Sequence, residues 1–162
     1  MFRDKSSEVI INRVSGILIV KNKILLQKPE IEDFWVLPGG GINPFETLEQ
    51  AIKREFVEEM CLKVKVDRFV FILENFFEYS NENIHSLEFY FLVSLLDSTI
   101  KLDLNEFNGL EEHFQPEKYG KIRLACRWFY LKELENINLK PKILKKILQD
   151  IPKHPKILIN KD

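Results

Sequence analysis

Glu55, Glu58 and Glu59 are the residues of this chain whose type and spacing point most directly to chemistry. Read as a helix at about 100° per residue, the stretch 48–60 gathers Leu48, Ala51, Ile52, Phe56 and Met60 into one apolar sector. Glu55 and Glu59 project into that sector on either side of Leu48, and Glu58 lies at its edge beside Ala51. A helix that merely covers a core keeps its charges on the opposite face. Here the acids turn inward, in the C-terminal half, where the helix dipole disfavours negative charge. Like-charged pairs at i, i+3 and i, i+4 cost about 0.2–0.5 kcal/mol each, and burial raises that cost unless a cation compensates. Hard carboxylate oxygens suit Mg²⁺ or Mn²⁺ better than Zn²⁺. A solvated acidic face is the plain alternative for an E-F-V-E-E run, and the helix alone leaves both readings open.

The residues upstream narrow the choice. Gly39-Gly40-Gly41 follows Phe34-Trp35-Val36-Leu37 and Pro38 directly. Glycine lets the backbone approach a ligand closely, or lets a carbonyl turn towards a metal. A triple glycine by itself is usually a turn; its fixed distance from the acids is what matters.

Elements able to position these groups are legible on both sides. Residues 9–20 and 24–27 are β-rich and flank the turn Lys21-Asn22-Lys23, with Pro29 ending the hairpin. Residues 34–37 read as a short aromatic strand. Thr47 and Gln50 match a capping box, which starts a helix running to about Cys61. Residues 64–79 and 84–96 are strands around the turn 80–83, and 97–119 is polar and irregular, with Gly109 and Pro116 as breakers. A strand at 127–131 leads to a final helix after Pro141, which Pro152 and Pro155 stop, and 157–159 adds an edge strand. This order predicts a mixed α/β sandwich in one domain, 1–162.

Composition removes several classes of function. Lys plus Arg number 24 and Asp plus Glu 25, which leaves no basic footprint for nucleic acid and no polybasic membrane patch. An anionic substrate therefore needs local neutralisation, by a few placed cations or a bound metal. No apolar run approaches the roughly 18 residues of a membrane span, and the charged start M-F-R-D-K-S-S-E-V lacks a signal-peptide apolar region. The chain is expected to be cytoplasmic, with Cys61 and Cys126 as reduced thiols.

Gly40, Glu46, Arg54, Glu55, Phe56, Glu58, Glu59 and Leu62 stand at the spacing G-x5-E-x7-R-E-U-x-E-E-x-G-U, with U a bulky apolar residue. In this the chain resembles the Nudix hydrolase family, of the MutT-like kind. Cys61 replaces the late glycine, and Phe45 stands where a small residue often precedes the first Glu. At Cys61 the helix either enters the left-handed region at a cost of about 1 kcal/mol or ends differently. The preceding W-V-L-P-G-G, the flanking strands and the later R-W-F-Y-L-K-E-L extend the likeness over most of the chain.

The resemblance implies a Nudix-type α/β/α sandwich with a mixed β-sheet, and attack of water at phosphorus in a nucleoside diphosphate derivative. It implies Glu55, Glu58 and Glu59 as acids that bind Mg²⁺ (or Mn²⁺), with the Gly40 carbonyl as a further ligand. It makes Glu46 and Arg54 a structural pair holding the loop to the helix. For the general base it leaves a helix glutamate or a loop acid open; Glu58 is ranked ahead of Glu112, and Glu106, Glu111 and Glu117 lie in the same segment. The small-molecule nucleotide substrate needs aromatic walls, with Phe34 and Trp35 first among candidates that include Phe76, Phe77 and Tyr79. Its phosphates need cations, for which Arg13, Lys28 and Arg127 are available. The substrate expectation leans to ADP-ribose or a related nucleotide sugar, with triphosphate pyrophosphohydrolysis of the nucleotide-sanitising type next. The rival from another class is a nucleotide-sensing module without catalysis; such modules ordinarily lack one or more metal acids, and all are present here.

Overall fold

A computed structural model describes residues 8–96, 105–112 and 120–161, with side chains left aside at 8, 9, 111 and 112. The chain runs β1 (Glu8–Val20), β2 (Lys23–Pro29), β3 (Gly39–Gly41), α1 (Leu48–Met60), β4 (Val64–Tyr79), β5 (Glu82–Leu95), β6 (Glu106–Glu112) and β7 (Lys121–Tyr130). A 3₁₀ turn (Leu131–Asn136), α2 (Leu144–Ile147) and β8 (Lys156–Lys161) follow. One sheet has the order β6-β7-β2-β1-β5-β4-β8, with β3 paired to β1. It is mixed: β1 with β5 and β4 with β8 are parallel, and the remaining pairs are antiparallel.

The β1–β2 and β4–β5 hairpins each turn on two residues in the left-handed region, Lys21 and Asn22 in the first and Ser80 and Asn81 in the second. That geometry matches the right-handed twist of the strands and sets their register. The register then sorts side chains by face, because alternate residues point to opposite sides. Val14, Leu18, Leu25, Leu124, Cys126 and Trp128 pack under Ala51, Ile52, Phe56 and Met60 of α1. Ile17, Ile24, Leu26, Phe71, Tyr90 and Phe129 face the other way, onto Leu134, Leu139, Leu144 and Leu148. The result is a three-layer sandwich, as the element order predicts.

A buried polar cluster interrupts the second core. The Glu88 carboxylate accepts hydrogen bonds from Ser86 Oγ, Asn75 Nδ2 and Tyr90 OH. Burial, then the neighbouring Glu88 charge, pushes the Tyr90 phenol well above its ordinary range.

The capping box at the start of α1 is formed: Gln50 N donates to Thr47 Oγ1 (3.2 Å) and Thr47 N to Gln50 Oε1 (2.9 Å). At the other end Cys61 takes the left-handed conformation, φ 55° and ψ 32°. Cys61 N then reaches Val57 O (2.9 Å) and Leu62 N reaches Phe56 O (3.0 Å), so the last carbonyls are satisfied. Of the two endings open to a non-glycine residue here, the chain adopts the strained one. Cys61→Gly relieves about 1 kcal/mol of that strain and is expected to raise the melting temperature by about 2–4 °C without altering turnover. Thermal denaturation of the two proteins side by side checks this.

Three sequence expectations need correction. Residues 34–37 form no strand; Trp35 and Val36 make isolated bridges to Leu139 and Gln27. The backbone there is shared between two neighbours, Trp35 N donating to Asn138 O and Val36 N to Gln27 O, so no single ladder develops. The segment 97–119 is not irregular throughout, since it contains β6. Gly109, read as a breaker, sits inside that strand because α1 crosses it: a Cβ there would stand 2.4 Å from Glu59 O. The final helix is a single turn, Leu144–Ile147. The remaining boundaries moved by a few residues, β7 beginning at Lys121 rather than 127.

Candidate active site

α1, β3 and the loop between them bring the motif residues together around one guanidinium. Arg54 Nε donates to Glu46 Oε1 (2.6 Å) and Arg54 Nη2 to Glu46 Oε2 (2.9 Å), a bidentate pair. Arg54 Nη2 also donates to the Gly41 carbonyl (2.9 Å), while Nη1 donates to Glu55 Oε1 (2.7 Å) and Glu58 Oε2 (3.2 Å). Glu46 Oε2 accepts from Asn43 N as well (3.0 Å), which closes the loop onto its own backbone. The sequence predicted the Glu46–Arg54 pair; the structure adds that the same Arg54 grips two acids of the helix and the glycine strand.

The three acids differ in setting. Glu55 and Glu59 are 8% and 6% exposed, as their place in the apolar sector requires, whereas the Glu58 side chain is 60% exposed. Glu55 lies flat against Gly40, where a Cβ would stand 2.4 Å from its carboxyl carbon. Any side chain at position 40 would push that carboxylate out of place. Gly39, at φ 154°, lets the chain pass Val14, whose carbonyl a Cβ would meet at 2.0 Å.

The electrostatics separate the carboxylates further. The Arg54 hydrogen bond holds Glu46 below its ordinary range. Burial pushes Glu55 up, against the opposing pull of Arg54 and Arg13, and Glu58 adds to the rise. Arg54 is raised, chiefly by its bond to Glu46. Glu55 is thus a carboxylate for which burial outweighs the pull of its Arg54 partner. Among the described residues no group of three or more His, Cys, Asp or Glu side chains is gathered closely enough to hold a metal ion. Arg54 instead draws Glu55 and Glu58 onto its own nitrogens. In chemistry and burial the donors fit a hard divalent cation: Glu55 and Glu59 supply carboxylate oxygens in a desolvated setting, and the close approach at Gly40 keeps backbone beside Glu55.

The other predicted residues fall unevenly. Arg13 stands on β1 between Gly41 of β3 and Glu88 of β5, near enough to Glu55 to lower its carboxyl. Phe34 is half-buried in the loop before the glycines. Trp35 packs edge-on against Phe129 (4.8 Å), with Lys28 over its ring. The Glu112 and Glu111 side chains and Glu117 lie outside the described residues; Glu106 lines a cavity of about 400 Å³ with Lys23, Arg127 and Tyr130. Phe76 stacks on His85, which pairs with Glu74 (3.0 Å). Gln27, the polar residue inside the apolar run K-I-L-L-Q-K, is 1% exposed. Among the described residues no helix is long and apolar enough to cross a membrane.

Comparison with known proteins gives three kinds of likeness. The family model described as NUDIX domain matches residues 9–151. An 8-oxo-dGTP diphosphatase of Buchnera aphidicola subsp. Schizaphis graminum is 27% identical over 146 residues, covering 88% of this chain and 93% of that protein. Among solved structures, a UDP-X diphosphatase superposes with a TM-score of 0.60 at 23% identity, covering 87% of this chain. This chain spans only 60% of that protein's length. An ADP-ribose pyrophosphatase from Streptococcus suis superposes with a TM-score of 0.57 at 20% identity, covering 94% of this chain and 98% of the other. At such identities the two structures speak for the fold.

Proposed function

The chain belongs to the Nudix family, and from that premise we propose that it is a Mg²⁺-dependent pyrophosphohydrolase of nucleoside diphosphate derivatives, with Mn²⁺ as the substitute ion. The observation that carries this reading is the pair of buried acids on α1, Glu55 and Glu59, with Glu55 set against Gly40 and bonded to Arg54. Glu55 and Glu59 hold the cation, with the Gly40 carbonyl beside them. When bound, such a cation would supply neutralisation of the charge that develops as the diphosphate linkage breaks.

The chain's own residues do the rest. Arg13, half-buried, takes a phosphate oxygen of the substrate, and Phe34 and Trp35 flank the base. Glu58 takes the proton of the attacking water. Its 60% exposure lets it exchange that proton with solvent, and the Arg54 hydrogen bond keeps it aimed at the cluster. A base must lie within hydrogen-bond reach of the water it deprotonates, and Glu58 stands at the edge of the helix face that carries the acids assigned to the cation.

Two substrate classes lead. ADP-ribose or a related nucleotide sugar is the sequence expectation, and the Streptococcus suis ADP-ribose pyrophosphatase shares the fold. The Buchnera relative, alike over nearly the whole of both chains, favours a nucleoside triphosphate of the sanitising type. We rank the triphosphate first on that likeness. Phosphate and pyrophosphate release should be measured from ADP-ribose, other nucleotide sugars, dinucleoside polyphosphates, and normal and oxidised triphosphates, with and without Mg²⁺. Mg²⁺-dependent turnover concentrated on one class is expected. Tight nucleotide binding with no turnover on any of them would overturn the reading in favour of a sensor.

A further inference from the structure

Gln27 lies near the end of β2, 1% exposed, and its side-chain oxygen accepts no hydrogen bond. A buried amide oxygen without a donor costs stability, so a polar residue held there calls for a partner that the described residues do not supply. Its direction follows from the sheet. Leu25 packs in the core beneath α1, and strand side chains repeat every second residue, so Gln27 faces α1 too. Its opposite number on β7 is Cys126, a member of the same core.

α1 touches the sheet on either side of this spot. Glu55 rests against Gly40, whose strand β3 is paired to β1, and the Glu59 carbonyl rests against Gly109 of β6. Gly109 also approaches Cys126 Sγ, where its Cβ would stand 3.3 Å away. The sheet order β6-β7-β2-β1 sets Cys126 and Gln27 between those two points. Glu59 is 6% exposed and shares the buried face of α1 with Ala51, Ile52, Phe56 and Met60.

We propose that Gln27 is a positioning residue of the cation site, its unpartnered amide oxygen accepting a hydrogen bond from a water in the hydration shell of the ion held by Glu55 and Glu59. This rests on the cation-dependent reading above. Mg²⁺ and ions like it dehydrate reluctantly and keep several waters, so a buried acceptor beneath the carboxylates has a donor once the ion is present. The role is one of orientation, and groups of this kind are worth about 10–100-fold in metal affinity.

The test is calorimetric titration of the full chain with Mn²⁺ alone, without nucleotide, for the wild type and Gln27→Leu, together with melting curves in chelator. Gln27→Leu is expected to weaken Mn²⁺ binding about tenfold while the metal-free melting temperature holds or rises, since an unpaired buried group is gone. Wild-type affinity in the variant would overturn the role of Gln27 and leave the cation reading standing. A metal-free melting temperature well below the wild type would also overturn it, marking the amide as part of the fold. No Mn²⁺ binding by the wild type would overturn the cation reading beneath. Gln27→Met, unbranched and similar in length, carries the same comparison if the Leu variant does not fold.

Discussion

Glu55→Gln is expected to lower turnover about 10³-fold and yet raise the melting temperature of the metal-free protein. The first effect follows from losing a carboxylate that holds the cation, worth several kcal/mol of transition-state charge stabilisation, at about 1.4 kcal/mol for each factor of ten. The second follows from burial, which makes the charged form of Glu55 costly in the folded state. Its folded pKa lies above the ordinary value of 4.5, so in metal-free protein stability falls as pH rises from 4.5 through the folded value and stays low above it. The neutral amide has no such dependence, so the gap between variant and wild type should widen with pH across that window. Added Mg²⁺ should raise the wild-type melting temperature and leave the variant nearly unmoved. Glu58→Gln gives the contrast: a comparable loss of turnover, with little change in metal-free melting, because that side chain is 60% exposed and surface charges are worth little. Normal turnover in Glu58→Gln would remove it as the base, and a metal-free melting temperature below wild type in Glu55→Gln would contradict the burial argument.

Arg54→Ala is expected to damage both stability and activity. The guanidinium ties Glu46, Glu55, Glu58 and the Gly41 carbonyl into one cluster, and removing it strands carboxylates that are mostly out of water. Breaking a fully buried pair costs about 3–5 kcal/mol; for this partly buried one about 2–3 kcal/mol is the expectation, or roughly 5–10 °C in melting temperature. The loop would no longer be clasped to the helix, and misplacement of that order costs about 10²-fold in rate. Glu46 supplies a pH signature. Its folded pKa is held below 4.5 by Arg54, so its contribution is complete above 4.5 and is lost as pH falls through the folded value. The difference between Arg54→Ala and wild type should therefore be largest near neutral pH and shrink in acid. Arg54→Lys separates charge from shape, since a lysine cannot make the bidentate fork; recovery of full activity by the lysine would show that charge alone suffices. Denaturation at neutral and acid pH, with initial rates on the best substrate, reads all of these outcomes.

How much of this was legible beforehand depends on how far each feature reaches along the chain. The hairpins and the capping box are local: Lys21-Asn22 and Ser80-Asn81 carry their turns, and Thr47 with Gln50 carries its cap. The inward placing of Glu55 and Glu59 was also readable, because helical period alone sets which residues share a face. The motif spacing identified the family for the same reason, since its loop and helix are contiguous in the chain. Other features needed partners distant in sequence. Gly109 looked like a breaker until α1 lay across β6. Residues 34–37 looked like a strand until their backbone bonds were divided between Gln27 and the region of Leu139. Gln27 looked like an ordinary strand residue until the sheet order set it between β7 and β1, beneath the helix. Arg54 carried one predicted partner and proved to hold four groups, because Gly41, Glu46, Glu55 and Glu58 converge only when loop, strand and helix are packed together. The sequence by itself determined which residue types gather in the motif and which face of α1 they share. Tertiary packing decided which of them lose water, and desolvation is what separates Glu55 from Glu58.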